Sequence, residues 1–584
     1  MKWVNRLFHN PGDGAQYRSV PGMDRGDEFQ SDKTTTLRPN NWLFSWPSLI
    51  SRTRLSVTGR VSLLLSMVLV VSVIFSTPTT NELPLSTPTS NSTSNFLHLL
   101  IPATSSREHG LCRNVFSAAV LGYPTPRLIN WGNTKAPAPG GDEYDGTHLA
   151  KITGLLSYLD ALGPESDQEL ILMVDGFDLW FQLPPNVLID RYQRIVNRHN
   201  MRIRRRLGRA MDRQGIRQSI IMNSQNMCWP QDNQAPVCSV VPESEVPPDI
   251  YGKGKTDKSP RSTRNRWLNS GFMMGPVGDV RKLLKAVNNM ILQTPGRGSD
   301  QAAFNEVFGQ QEYFRELVRD WHLTAPQRLM ARVNSAFGIV DERSKKVLGT
   351  KSTFWPTSDI AISDDYEFHL GPDYLSELVQ TLDNRAEDMD WHVFSKPEEV
   401  VKWTEEKGLP TPVRIGDLPV DIARSEPPFS TLKGYKNATN SGADNDDQGT
   451  LEDLNLARRS WSDVRLYTNL YTGVVPSTIH FNRPKYKMDT DWDKIWMFPH
   501  LRDLLSARVR APREPVAVIP EQSGLPRQVW WSPIDSKGGM IGDNSSTPVW
   551  VSWEEACNGE AVQDKVFVDE KGLWVDPRSP LPAT

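Results

Sequence analysis

Apolar residues along this chain fall into two kinds of run. Short, nearly unbroken runs read as buried strands, and four stand out: Asn114 to Leu121, Leu128 to Trp131, Glu169 to Met173 and Gln218 to Asn223. Between them apolar positions recur at helical spacing. Leu149, Ile152, Leu155, Leu156 and Leu159 place one stripe on a helix over 148–162, and a longer helix is expected over about 185–211. Strands alternating with helices from Cys112 onward predict an α/β fold on a mostly parallel, Rossmann-like sheet. No internal repeat interrupts the pattern.

One run is of another type. Val61 to Phe75, VSLLLSMVLVVSVIF, contains no charged residue. Its fifteen residues would span about 22 Å as a helix, short of a hydrocarbon core of roughly 27 Å, and Ser76 with the residues before Arg60 can extend it. Arg52, Arg54 and Arg60 precede it, and no Lys or Arg follows until Arg107. By the positive-inside rule the N-terminus is then cytosolic and the bulk of the chain lumenal. The long segment before it argues against a cleaved signal peptide, and a buried core helix is the competing reading.

These patterns divide the chain. Residues 1–60, polar and rich in Gly, Pro, Asp and Arg, are expected to be a disordered cytosolic tail. Residues 61–76 are read as a transmembrane signal anchor and 77–111 as a Ser/Thr/Pro-rich stem. Residues 112–500 are expected to form the main domain, with surface insertions near 243–266 and 425–453, and 501–584 a Trp/Pro-rich C-terminal extension.

Composition refines this picture. The chain has 584 residues, a net charge of −3, an isoelectric point near 6.4 and a mean hydropathy of −0.47, so nucleic acid is not the expected partner. Seven arginines between Arg202 and Arg217 are read as a solvated or lipid-facing helix surface. All four cysteines (Cys112, Cys228, Cys238, Cys557) follow the apolar segment, where disulfides are permitted. Three pairings exist; Cys228 with Cys238 is the simplest, and buried free thiols are the alternative. Sequons at Asn91, Asn437 and Asn544 also fall on the lumenal side.

The candidate chemistry begins at Asp175 and Asp178, which emerge where the strand ending near Met173 runs out. Open α/β sheets bind ligands at the carboxyl ends of their strands. Two acids there offer oxygen ligands to a hard divalent cation, which completes its shell with substrate phosphates; the competing reading is a pair of turn-forming aspartates. Three further segments could join them. Asn269-Ser270-Gly271 stands in a strand where glycine permits close approach. Asp300-Gln301 opens a helix, and Asp300 could be only its N-cap. His480 follows a short apolar stretch and precedes Lys485 and Lys487.

In this order, the acid pair, Leu-Asn-Ser-Gly, Asp-Gln on a helix and His-x-Asn, the chain resembles metal-dependent GT-A glycosyltransferases. It is most similar to the glycosyltransferase domain of procollagen lysyl hydroxylases and related collagen-modifying transferases. Asp175-Gly176-Phe177-Asp178 stands where that family has an acid-Ser-Tyr-acid motif, Cys228-Trp229-Pro230 matches a Cys-Trp-Pro element, and His480-Phe481-Asn482-Arg483 resembles a His-Gly-Asn-Gly element. The likeness spans about Cys112 to Lys487. It implies a GT-A fold in which Asp175, Asp178 and His480 hold Mn²⁺ against the diphosphate of a UDP-sugar. Trp131 and Phe177 would flank the uracil, and Lys151 and Lys485 would lie near phosphate. Asn269, Asp300 and Gln301 would face the sugar and the acceptor. Arg483 replaces a glycine, and the acidic run before Asp-Gln is shortened to Gly298-Ser299-Asp300, so the acceptor side departs most from the family.

The expectation is therefore a type II, single-pass glycosyltransferase of the Golgi or endoplasmic reticulum membrane. Its partners would be a UDP-sugar, a glycan or protein acceptor, and the bilayer through one helix. An inactive lumenal glycan-binding or scaffold protein on the same fold is the alternative. A metal-dependent phosphoester hydrolase would need more clustered ligands than the sequence offers.

Overall fold

The computed structural model describes residues 95–576 apart from 107–108, 134–142, 295–298, 353–354, 357–363, 400–404, 407, 409–414, 434–454, 522–525, 535–536, 545–546, 558 and 575. The tail, the apolar segment 61–76, and most of the 425–453 insertion lie outside these residues. Among the described residues no helix is long and apolar enough to cross a membrane.

The segment NFLHLLIP forms β1 (Asn95–Pro102), buried on both faces for most of its length. A strand apolar on both sides must be covered on both sides, and β1 lies in the middle of the sheet. It pairs in parallel with β2 (Arg127–Ile129) and β3 (Leu170–Val174). Next to β3 the direction reverses: β6 (Trp267–Pro276) runs antiparallel to β3 and to β5 (Ile220–Gln225), and β7 (Leu370–Pro372) is parallel to β5. At the other side β14 (Gly539–Asn544) is parallel to β2 and antiparallel to β15 (Thr547–Ser552). The pair β12 (Ala517–Ile519) and β13 (Gln528–Trp531) joins the start of β1, giving ten strands in all. The result is a mixed α/β fold with a mostly parallel central sheet, compatible with the Rossmann-like expectation.

Helices cover both faces. On one side α1 (His109–Leu121) and α3 (Pro185–Leu207) join the larger core cluster, and on the other α2 (Glu143–Ala161), α4 (Val277–Gln293) and α5 (Asp300–Trp321) join the second. A second, three-stranded sheet has the order β4 (Leu179–Phe181), β11 (Thr478–His480), β8 (Val379–Thr381). A two-stranded ribbon pairs β9 (Met389–His392) with β10 (Leu466–Asn469).

Several expectations change. Asn114 to Leu121 is the second half of α1, not a strand, because an apolar run this short fits either conformation once both its faces are buried. The stem does not extend through 111, since Asn95–Pro102 is the central strand. Residues 501–584 are not a separate extension: they contribute β12 to β15, Trp553 and Trp574 contact Phe116, and Cys557 is disulfide-bonded to Cys112. The other disulfide is Cys228–Cys238, as the spacing suggested. The long helix ends at Leu207, where Gly208 takes a positive φ of 56°. The arginine run is anchored as well as solvated: Arg202 pairs with Glu245, Arg206 with Glu316 and Arg217 with Asp279. Val246 and Ile250 are buried, so the 243–266 insertion is built into the domain.

Fully buried ion pairs give the fold an acid limit. Arg315 Nε donates to Glu367 Oε2 at 2.8 Å. Burial opposes the Glu367 charge, but Arg315 and His369 outweigh it and hold the carboxyl at about 2. A carboxyl lowered in the folded state stabilises at pH above its unfolded value and loses that contribution as pH falls through the folded value. Between pH about 4.5 and 2 this group should cost on the order of 3 kcal/mol. Urea midpoints measured across that window should drop for the native chain, and more shallowly for Glu367→Gln.

Candidate metal centre

The sequence LILMV makes β3 a fully buried strand, and Val174 is its last residue. Asp175 follows at its carboxyl end, tied to β6 by its N–H, which donates to Gly271 O at 2.9 Å. Gly176 lies so close to β1 that a Cβ there would meet Pro102 O at 2.7 Å. The turn is held from the other side by Asn114 of α1, whose Nδ2 donates to Asp175 O at 2.9 Å. Phe177 is half-buried against the core, and the chain continues directly into β4.

That continuation brings in His480. In the β4–β11 pair His480 stands opposite Leu179, and Phe481 N donates to Asp178 O at 2.7 Å. The imidazole Nε2 is 3.6 Å from Asp175 Oδ2 and 3.4 Å from Asp178 Oδ1. Two ligands about 2.2 Å from one ion, at about 90–110° to each other, stand roughly 3.1–3.6 Å apart. One ligand atom from each of Asp175, Asp178 and His480 lies within 4.8 Å of the others, so the triad could hold a metal ion. His480 Nδ1 is buried without a hydrogen-bond partner. The ring is placed by packing instead: a Cβ on Gly271 would come to 2.2 Å from its Cε1.

Two lysines approach the acids differently. Burial opposes ionisation of Asp178, but the charges of His480 and Lys485 outweigh it and hold the carboxyl well below the usual carboxylate range. Lys485 contacts Asp178 from a side chain 61% exposed, so its ammonium can exchange partners with an arriving anion. Lys151 is buried. Its Nζ is 3.0 Å from Asp175 Oδ1, 3.0 Å from Ser270 O and 2.8 Å from Asp300 Oδ2. Burial disfavours its charge, but Asp175 and Asp300 outweigh that and raise it well above the ordinary lysine value. Asp175 and Ser270 accept hydrogen bonds from it, and Asp300 faces it as an ion pair. Lys151 thus bridges the acid pair and α5.

Asp300 is free for that bridge because it is not the N-cap; Ser299 caps α5, accepting from Ala302 N. Gln301 also faces inward. Its Oε1 accepts from Asn269 Nδ2 at 3.2 Å and its Nε2 donates to Trp229 O at 2.7 Å. Asn269 donates to Gln225 Oε1 as well, at 3.2 Å. Asn269, Asp300 and Gln301 thus form one network beside the triad, closed on its outer side by the exposed Trp229. Trp131 lies just after β2, with its indole buried against Gly542 of β14. Asn114 and Gln225 carry no local signal in the sequence, whereas Ser270 stands inside the Asn-Ser-Gly segment.

Removing the Lys151 charge should leave Asp300 buried and uncompensated. Lys151→Met should cost about 3–5 kcal/mol of stability, and Lys151→Met with Asp300→Asn should recover part of it. Urea unfolding of the two variants checks this.

No protein-family model matches this chain, and no curated protein matches it in sequence.

Proposed function

We propose that this chain is a type II, single-pass membrane glycosyltransferase of the Golgi or endoplasmic reticulum, transferring a sugar from a UDP-sugar to a glycan or protein acceptor with Mn²⁺. The observation that carries this reading is the convergence of Asp175, Asp178 and His480 at the carboxyl edge of the sheet. Oxygen and imidazole donors suit Mn²⁺.

A divalent cation held there supplies Lewis-acid stabilisation of the charge that develops on departing UDP. The chain's own residues have separate tasks. Asp175 and Asp178 provide the anionic oxygens and His480 a neutral nitrogen. Lys151 fixes the orientation of Asp175 and of Asp300. Lys485 leaves Asp178 and neutralises a diphosphate oxygen, which a flexible exposed lysine can do as a point charge. Phe177 and Trp131 bound the nucleoside side, and Asn269 and Gln301 the sugar side.

The test is UDP release by the detergent-solubilised full chain against a panel of UDP-sugars, with and without Mn²⁺. Release from one UDP-sugar that depends on Mn²⁺ supports the proposal; no release from any of them, with acceptor glycans and peptides supplied, contradicts it.

A further inference from the structure

A helix that the candidate site does not use has no packed face among the described residues. Thr324 caps it through Gln327 N, Pro326 stands in its first turn, and it runs as α6 (Ala325–Ala336) with none of its residues buried. Its faces are nevertheless sharply different. Leu329, Val333 and Met330 fall on one side, and Phe337, Ile339 and Val340 continue the apolar surface past the helix end. Leu329 is 64% exposed and Phe337 79%. Ser335 and Ala331 occupy the opposite side, Arg332 lines one flank of the apolar face, and Arg328, one turn before it, lies between that flank and Ser335 and donates to Trp321 O at 3.0 Å.

A helix of this length is marginal in water unless its apolar face is covered. The charge around it indicates by what. From Thr324 to Gly349 there are five basic residues (Arg328, Arg332, Arg343, Lys345, Lys346) and two acidic ones (Asp341, Glu342), so 5 − 2 gives +3 on a chain whose net charge is −3. Asp341 is paired with Arg319 at 2.8 Å and Arg343 with Glu312 at 2.9 Å, which leaves Arg328, Arg332, Lys345 and Lys346 against Glu342. In a symmetric self-contact the same basic patch would face itself. A lipid surface offers both complements, acyl chains for the apolar face and phosphates for arginines whose stems reach along it.

We propose that α6 and the Phe337–Val340 turn lie in the interface of a phospholipid bilayer, with Leu329, Val333 and Phe337 among the acyl chains and Arg328 and Arg332 at the phosphates. The contact holds the folded domain against the membrane surface, independently of what the metal centre catalyses.

All four cysteines are in disulfides, so an introduced thiol is the single reactive one. Phe337→Cys, Val333→Cys and Ser335→Cys full-length chains, each labelled with bimane, are reconstituted into phosphatidylcholine–phosphatidylserine vesicles. Labels at 337 and 333 should emit at shorter wavelength than the label at 335 and be quenched by lipids brominated on the acyl chain. Emission at 337 and 333 like that in water overturns the proposal. So does a blue shift without bromine quenching, which reports a protein partner or a second copy. UDP release measured on the same preparations separates this outcome from the fate of the catalytic reading.

Discussion

Asp178→Ala should abolish Mn²⁺-stimulated UDP release, with a loss of about 100-fold or more in kcat/KM, while the chain stays folded. The reason is local. Asp178 supplies an oxygen to a triad that has one ligand atom from each of three residues, so losing one leaves a weak two-point site. The fold does not depend on the side chain in the same way. The link from the turn to β11 is the backbone bond from Phe481 N to Asp178 O, which survives substitution. Lys485, the cation left behind, is mostly exposed and can be solvated. Asp178→Asn keeps the shape and should lose activity as well. Steady-state kinetics with and without Mn²⁺, beside a thermal melt, check both halves; wild-type turnover in Asp178→Ala would remove the metal site from the account.

Gly271→Ala should have a comparable effect without touching a ligand. The added methyl would come within 2.2 Å of His480 Cε1 and 2.8 Å of its Nε2. Toward β5 the residue lies in a register shift, but on the β3 side Gly271 O accepts from Asp175 N at 2.9 Å, so any yielding of the ring or of this backbone alters the position of His480 relative to Asp175. The imidazole is buried, and any shift takes it out of line with the two carboxylates. Mn²⁺ affinity should fall by roughly 10–100-fold, the range for lost support of a metal ligand. Titration of Mn²⁺ followed by electron paramagnetic resonance would show it. Unchanged affinity would mean that His480 is not a ligand.

The contrast between these two positions shows how much the sequence could reveal. Asp178 was legible because an unbroken apolar run ended at an acid pair, and strand ends in an open sheet are where ligands bind. His480 was not legible from its own surroundings. It reaches the acids through the pairing of β11 with β4, a long-range register that no local pattern encodes. The same holds for Lys151, which only the family resemblance singled out; nothing local shows that both Asp175 and Asp300 wait there. At the level of the fold, β3, β5 and α2 followed from periodicity. The central strand β1 is hidden in a segment whose Ser/Thr/Pro-rich beginning suggests a stem, and α1 reads as a strand because a helix buried on nearly every side shows no polar stripe. The part played by residues 501–584 was hidden too, since β12 to β15 are short strands that acquire meaning only beside β1 and β2.

Manganese anomalous scattering from crystals of the protein grown with Mn²⁺ and UDP tests the central claim most directly. One peak is expected about 2.0–2.3 Å from His480 Nε2 and from an oxygen each of Asp175 and Asp178, with the UDP diphosphate on its open side. Manganese bound elsewhere, or His480 turned away from a metal held by the two aspartates, would contradict it.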